Sequence, residues 1–207
     1  MTDPPVVLWR FRDIWDRSGL SGSADPVFAD LAARYAEPHR AYHTLEHIEA
    51  CLRELDTVID HAHDADALAL AIWFHDAIYD THARDSEERS AELARVTLET
   101  AGFSVERVER VAQMVLATRH DATPEDDDTR LLVDVDLSIL GQDEPTFDRY
   151  ETDVRFEYSW VPEQAFRAGR AAVLPGFLAR PSIYATRCYR ERYEAPARAN
   201  LARSLAR

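Results

Sequence analysis

A chain of 207 residues is long enough for one sizeable hydrophobic core, and the simplest division is none, with residues 1–207 forming one domain. A composition that is 46% hydrophobic with only 6 Gly excludes low-complexity and strongly charged disorder. The net charge of -14 and isoelectric point near 4.9 exclude a nucleic-acid backbone as main partner, because such binding rests on clustered Lys and Arg that neutralise phosphates.

The opening stretch MTDPPVVLWRFRDIW lacks a basic start followed by a long apolar run, and no segment approaches the roughly 20 apolar residues of a membrane span. A cytoplasmic protein without a membrane partner is expected. Apolar residues recur at helical spacing along the chain and no alternating run is long enough to nominate a sheet, so the expected fold class is all-α. Leu45, Ile48, Leu52 and Leu55 mark one face of a helix starting near Tyr42. Cys51, on that helix, and Cys188 are too few for a disulfide framework and lack the paired spacing of a zinc site.

ALALAIWFHDAIY, residues 67–79, is apolar on every side until its end and reads as the central helix. The next helix is capped by Asp85 or Ser86, carries Glu87 and Glu88 in its first turn, and stops at Gly102. A helix from Ser104 to about Arg119 buries Val108, Val111, Ala112 and Val115, and HDATPEDDDT after it reads as a solvated acidic loop. RLLVDVDLSILG is a helix stopped by Gly141. Three further helical segments, 146–160, 163–179 and 182–206, are interrupted by Pro162, Pro181 and Pro196.

Polar residues stand inside these apolar segments. His75 and Asp76 follow ALALAIWF, and Asp134 and Asp136 interrupt LLVDVDLSIL, where burial is costly unless each group is paired or ligates a metal. In AYHTLEH, residues 41–47, the four-residue spacing projects His43 and His47 from one helix face. His47, His75, Asp76 and Asp136 together give an N/O donor set suited to Mn, Fe, Co, Ni, Mg or Zn. Asp134 is the alternative fourth ligand, with a surface or N-terminal acid as its plainer reading.

His47, then His75-Asp76, then Asp136 resemble in order the His…His-Asp…Asp signature of the HD superfamily of metal-dependent phosphohydrolases, over residues 42 to about 141. YHTLEH is similar to the Tyr-His-Asn-x-x-His of cyclic-nucleotide phosphodiesterases, and DLS (136–138) to the Asp-Leu-Ser at their last ligand. The whole chain, including FRAGRAAVLPGFLARPSIYAT and EAPARANL, resembles a group of bacterial proteins described only as predicted HD-superfamily phosphohydrolases. The resemblance implies an HD-domain-like helical bundle with a metal-site core at about 42–141 and C-terminal helices, 146–206, packed on it. It makes His47 a ligand and His43 the general acid. Thr44 in place of the phosphodiesterase Asn, and Tyr79-Asp80 in place of a further His, point away from cyclic nucleotides. Asp80 resembles the Glu-Asp pair of alarmone hydrolases and becomes the candidate for orienting or deprotonating water.

Several HD enzymes place a further histidine between the His-Asp pair and the final Asp, where it reaches substrate or a second metal. His120 takes that place here, with a helix-terminal histidine favoured by the helix dipole as the alternative. Arg170, beside small residues in FRAGRAAVL, is the candidate for holding phosphate, since the guanidinium fork bonds phosphate in a bidentate way. The expected function is hydrolysis of a small phosphorylated metabolite, with a nucleotide as the favoured class and self-association left open. The rivals are a di-iron HD-type oxygenase and a non-catalytic nucleotide sensor.

Overall fold

In the computed structural model the described residues are 6–122 and 124–206, and every regular element among them is helical. The helices are α1 (Val6–Arg17), α2 (Ala24–Arg34), α3 (Leu45–Asp56), α4 (Ala65–Phe74), α5 (Ser86–Thr100), α6 (Val105–Ala117), α7 (Asp127–Asp136), α8 (Glu144–Glu157), α9 (Glu163–Ala179) and α10 (Arg187–Leu205). Two short 3₁₀ turns, Ile59–His61 and Leu137–Gly141, complete the set. No helix among the described residues is long and apolar enough to cross a membrane.

A helix without a polar face must be surrounded. Every residue of α4 from Ala67 to Phe74 is buried, and α1, α3, α5, α6 and α7 pack around it. Its start is fixed by Asp64, whose carboxylate accepts from Ala67 N–H at 3.0 Å and is gripped on both oxygens by Arg107. The two helices before residue 40 carry no sequence-based expectation. They close one end of the core through Phe11, Phe28 and Trp73, whose rings meet edge-on or tilted with centroids 5.0–5.9 Å apart.

Four expectations need correction. The central helix ends at Phe74, with His75 as its C-cap, and not at Tyr79. Buried Arg40 takes the carbonyls of Asp76 (2.7 Å) and Ala77 (3.2 Å), and Ser90 bonds both backbone groups of Ile78, so residues 76–78 find partners outside a helix. Helix α3 begins at Leu45 behind the Thr44 cap, so His43 lies outside the helix that carries His47. Helix α7 starts at Asp127, and the acidic run is not simply a solvated loop. Asp128 is fully buried, accepting from His63 and Asp64 N–H and pairing with Arg110. Finally, α10 runs through Pro196 without a break, held by buried Tyr193, Ala197, Asn200 and Leu201 on either side of it.

Helices α8 and α10 pack against the Leu137–Gly141 turn. Gly141 permits this. A Cβ added there would stand 2.6 Å from Tyr193 Cβ, so the stop signal read from the sequence is a close contact between elements. Helix α9 is the least embedded, with Leu174 its one fully buried residue.

Candidate metal centre

His47 on α3, His75 at the end of α4 and Asp136 at the end of α7 bring one ligand atom each to within 4.8 Å of the others, a group that could hold a metal ion. His47 Nε2 lies 3.1 Å from His75 Nε2 and 3.3 Å from Asp136 Oδ1. Asp76 Oδ2 joins from the turn after α4, 2.9 Å from His75 Nε2 and 3.6 Å from His47 Nε2. Metal–ligand bonds of about 2.0–2.3 Å place neighbouring donor atoms about 2.9–3.7 Å apart, which covers these separations.

The donor chemistry fits a cation for a second reason. His75 Nδ1–H donates to the carbonyl of Ile72 at 2.8 Å, which leaves Nε2 as the lone-pair nitrogen of the neutral ring. That nitrogen faces the His47 ring nitrogen and two ionised carboxylates, which cannot donate to it, so the acceptor atoms gathered there suit a cation. Burial would lower the proton affinity of His75 and raise that of both acids, but the opposite charges win. His75 is held well above the usual imidazole range, and Asp76 and Asp136 below the usual carboxylate range. The imidazoles are 2% exposed and the two carboxylates 17–18%, so the cluster opens on its carboxylate side.

That opening is a cavity of about 420 Å³ lined by Asp76, Asp136, His43, Asp80, His120 and Arg170, with α9 as its roof. A second depression of about 450 Å³ reaches His47 from beyond Tyr42 and Tyr150. A third cleft, about 610 Å³, lies behind Tyr79 and Glu157 and meets none of the four cluster residues. The 420 Å³ cavity is the chemically relevant one of the three, because there both cluster carboxylates line the same space as His43, His120 and Arg170.

His43 is fixed by a residue that the sequence does not point to. Glu157, at the end of α8, accepts from His43 Nδ1 at 2.7 Å and from Tyr79 O–H at 2.9 Å on one oxygen. Its other oxygen accepts from the N–H groups of Ala41, Tyr42 and His43, each at 2.9 Å. Burial would raise the Glu157 carboxyl, but the hydrogen bonds and charge of His43 and those backbone amides bring it down to about 2. His43 itself is raised from the usual imidazole range; burial opposes this, and Asp76 and Glu157 outweigh it. Tyr79 stacks on the His43 ring at 4.1 Å. With Nδ1 engaged, Nε2 is the ring nitrogen that His43, a residue of the cavity lining, has left to offer.

The other candidates divide. His120 Nε2 lies 2.8 Å from Asp136 Oδ2, the oxygen farther from His47, and its backbone takes a left-handed φ of 56° while Arg180 holds its carbonyl at 2.6 Å. Arg170 reaches the cavity paired with Glu151. Asp80 lines the rim, but its Oδ1 accepts from His82 N–H at 2.9 Å and closes a turn. Asp134 points elsewhere. Its carboxylate accepts from Ala185 N–H, Thr186 N–H and Thr186 O–H at 2.6–2.7 Å and so pins the start of α10. Cys51 and Cys188 are free thiols, Cys51 with its sulfur 3.7 Å from the His47 ring nitrogens.

No protein-family model matches the chain, and neither a curated protein nor a solved structure does. Glu157 carries the one signal that could have found it. It is an acid between Phe156 and Tyr158 near a helix end, the same oddity that singles out Asp134 and Asp136.

Proposed function

We propose that the protein is a metal-dependent phosphohydrolase of the HD type, acting on a small phosphorylated metabolite. The observation that carries the reading is the juxtaposition of two histidine roles. His47 and His75 direct ring nitrogens at two carboxylates, whereas His43, in the cavity lining, is held by Glu157 through one ring nitrogen and has the other left to offer. His47, His75, Asp76 and Asp136 would hold a divalent ion, which supplies positive charge for phosphoryl oxygens and acidifies water. His43, kept protonated by Glu157, gives its Nε2 proton to the leaving oxygen, a task for which imidazole is suited near neutral pH. Asp80 at the rim takes the proton from the attacking water, after its carboxylate leaves the turn it closes. Arg170 contacts phosphate from the roof.

Turnover of a panel of phosphomonoesters and nucleotides with Mn, Mg, Fe and Co tests the reading. His43→Gln should retain metal and lose roughly 10²–10⁴-fold in turnover. The loss should shrink for aryl phosphates, whose leaving oxygen departs without needing a proton. Equal loss on good and poor leaving groups would overturn the assignment of His43.

One observation favours a second reading. His120 supplies an imidazole to the outer oxygen of Asp136, where a second ion would sit in a di-iron oxygenase. Two irons per chain with a visible absorption band, in place of phosphatase activity, would select it.

A further inference from the structure

The 420 Å³ cavity is unevenly furnished. Its charged lining, histidines aside, consists of four acids, Asp76, Asp80, Glu87 and Asp136, and two bases, Arg84 and Arg170. Asp76 and Asp136 face the ion position. Arg170 is matched by Glu151. Beyond the first phosphoryl group there remain Asp80 and Glu87 against Arg84 alone. Glu87 is half-buried in this lining and makes no ion pair among the described residues. The lining also has an apolar part, Leu137, Ile139 and Leu140 of the 3₁₀ turn and Val173, Leu174 and Phe177 of α9.

We infer that the cavity takes ligands with a single phosphoryl group on a weakly charged, ring-bearing organic part, and discriminates against di- and triphosphates. The inference rests on the phosphohydrolase reading for the position of the phosphoryl group. A second and third phosphate have Arg84 alone to share. They would lie against Glu87 and Asp80 or against aliphatic side chains, which bind a ring but offer no hydrogen bond to an anion. Sites for phosphate chains instead supply forked cations along the chain. At about 420 Å³ the space lies at the lower end of small-molecule sites, enough for a phosphate and a ring system.

The test is calorimetric titration of AMP, ADP and ATP into the metal-loaded His43→Gln variant, with free Mn²⁺ held constant, beside turnover of the same nucleotides by the wild type. AMP should bind at least about tenfold tighter than ADP or ATP, and Glu87→Gln should narrow that ratio by about tenfold, since it removes a like charge at short range. Phe177→Ala should weaken AMP more than inorganic phosphate. Equal or tighter binding of ADP and ATP, an unchanged ratio in Glu87→Gln, or no binding of AMP would overturn the inference. Preferential binding of AMP without its hydrolysis would leave the ligand class standing and remove the phosphohydrolase reading.

Discussion

Asp134 and Asp136 sit two residues apart on one helix and serve different ends. Asp134 gathers three hydrogen bonds from residues 185 and 186 in a fully buried position, while Asp136 meets three imidazoles. Asp134→Ala should therefore lower stability by about 2–4 kcal/mol, the cost of leaving buried donors unpaired, with metal affinity unchanged. Asp136→Ala should lose the metal and change stability little. Thermal unfolding and metal titration of both variants separate the roles. Glu157 adds a pH dependence. Its carboxyl ionises at about 2 in the folded chain against about 4.3 unfolded, so its contribution is full above the unfolded value and fades as pH falls from about 4.3 toward 2. Glu157→Gln should cost on the order of 2–3 kcal/mol at pH 6, and the gap to wild type should shrink to about half by pH 3 and close only below about pH 2, as read by denaturant unfolding.

At the scale of elements, the ends carry the site. His75 caps α4, Asp136 closes α7, Glu157 closes α8, and His43 sits just ahead of α3. Of the four proposed ligands, His75, Asp76 and Asp136 were legible in the sequence because a polar residue amid an apolar helical run demands a partner, and His47 through its spacing from His43 and the resemblance. Their partners across the chain were not. Glu157 meets residues 114–116 positions away, and Arg40 stops the central helix at carbonyls 36 and 37 positions ahead. Periodicity reports which face of a helix is buried and says nothing of a distant side chain that unwinds its last turn. Gly141 teaches the same lesson, since helix termination and close packing leave one signature. Gly141→Ala should cost about 1–3 kcal/mol by pushing α10 away from the 3₁₀ turn, visible as a lower melting temperature. Gly141→Ala paired with Tyr193→Gly, which removes the Cβ it would strike, should cost less than the two single losses together if the contact is its cause.

Across the whole molecule, the core stands without the metal. Helix α4 and the aromatic cluster of Phe11, Phe28 and Trp73 bury large apolar side chains at about 1.5–3 kcal/mol each, a term that needs no ion. The all-helical architecture was legible from periodicity, whereas the closure of the core by α1 and α2 depends on long-range ring contacts that no local pattern announces. Asp76→Ala should accordingly keep its helical circular dichroism while losing activity; a random-coil spectrum would make the cluster a folding site. The central claim is that His47, His75, Asp76 and Asp136 hold a catalytic ion, and calorimetric titration of the chelator-stripped protein with Mn²⁺ or Co²⁺ tests it most directly. The account predicts saturable binding of an ion at this cluster, abolished in a folded His75→Ala variant. Absence of binding in the wild type, or undiminished binding in that variant, would contradict it.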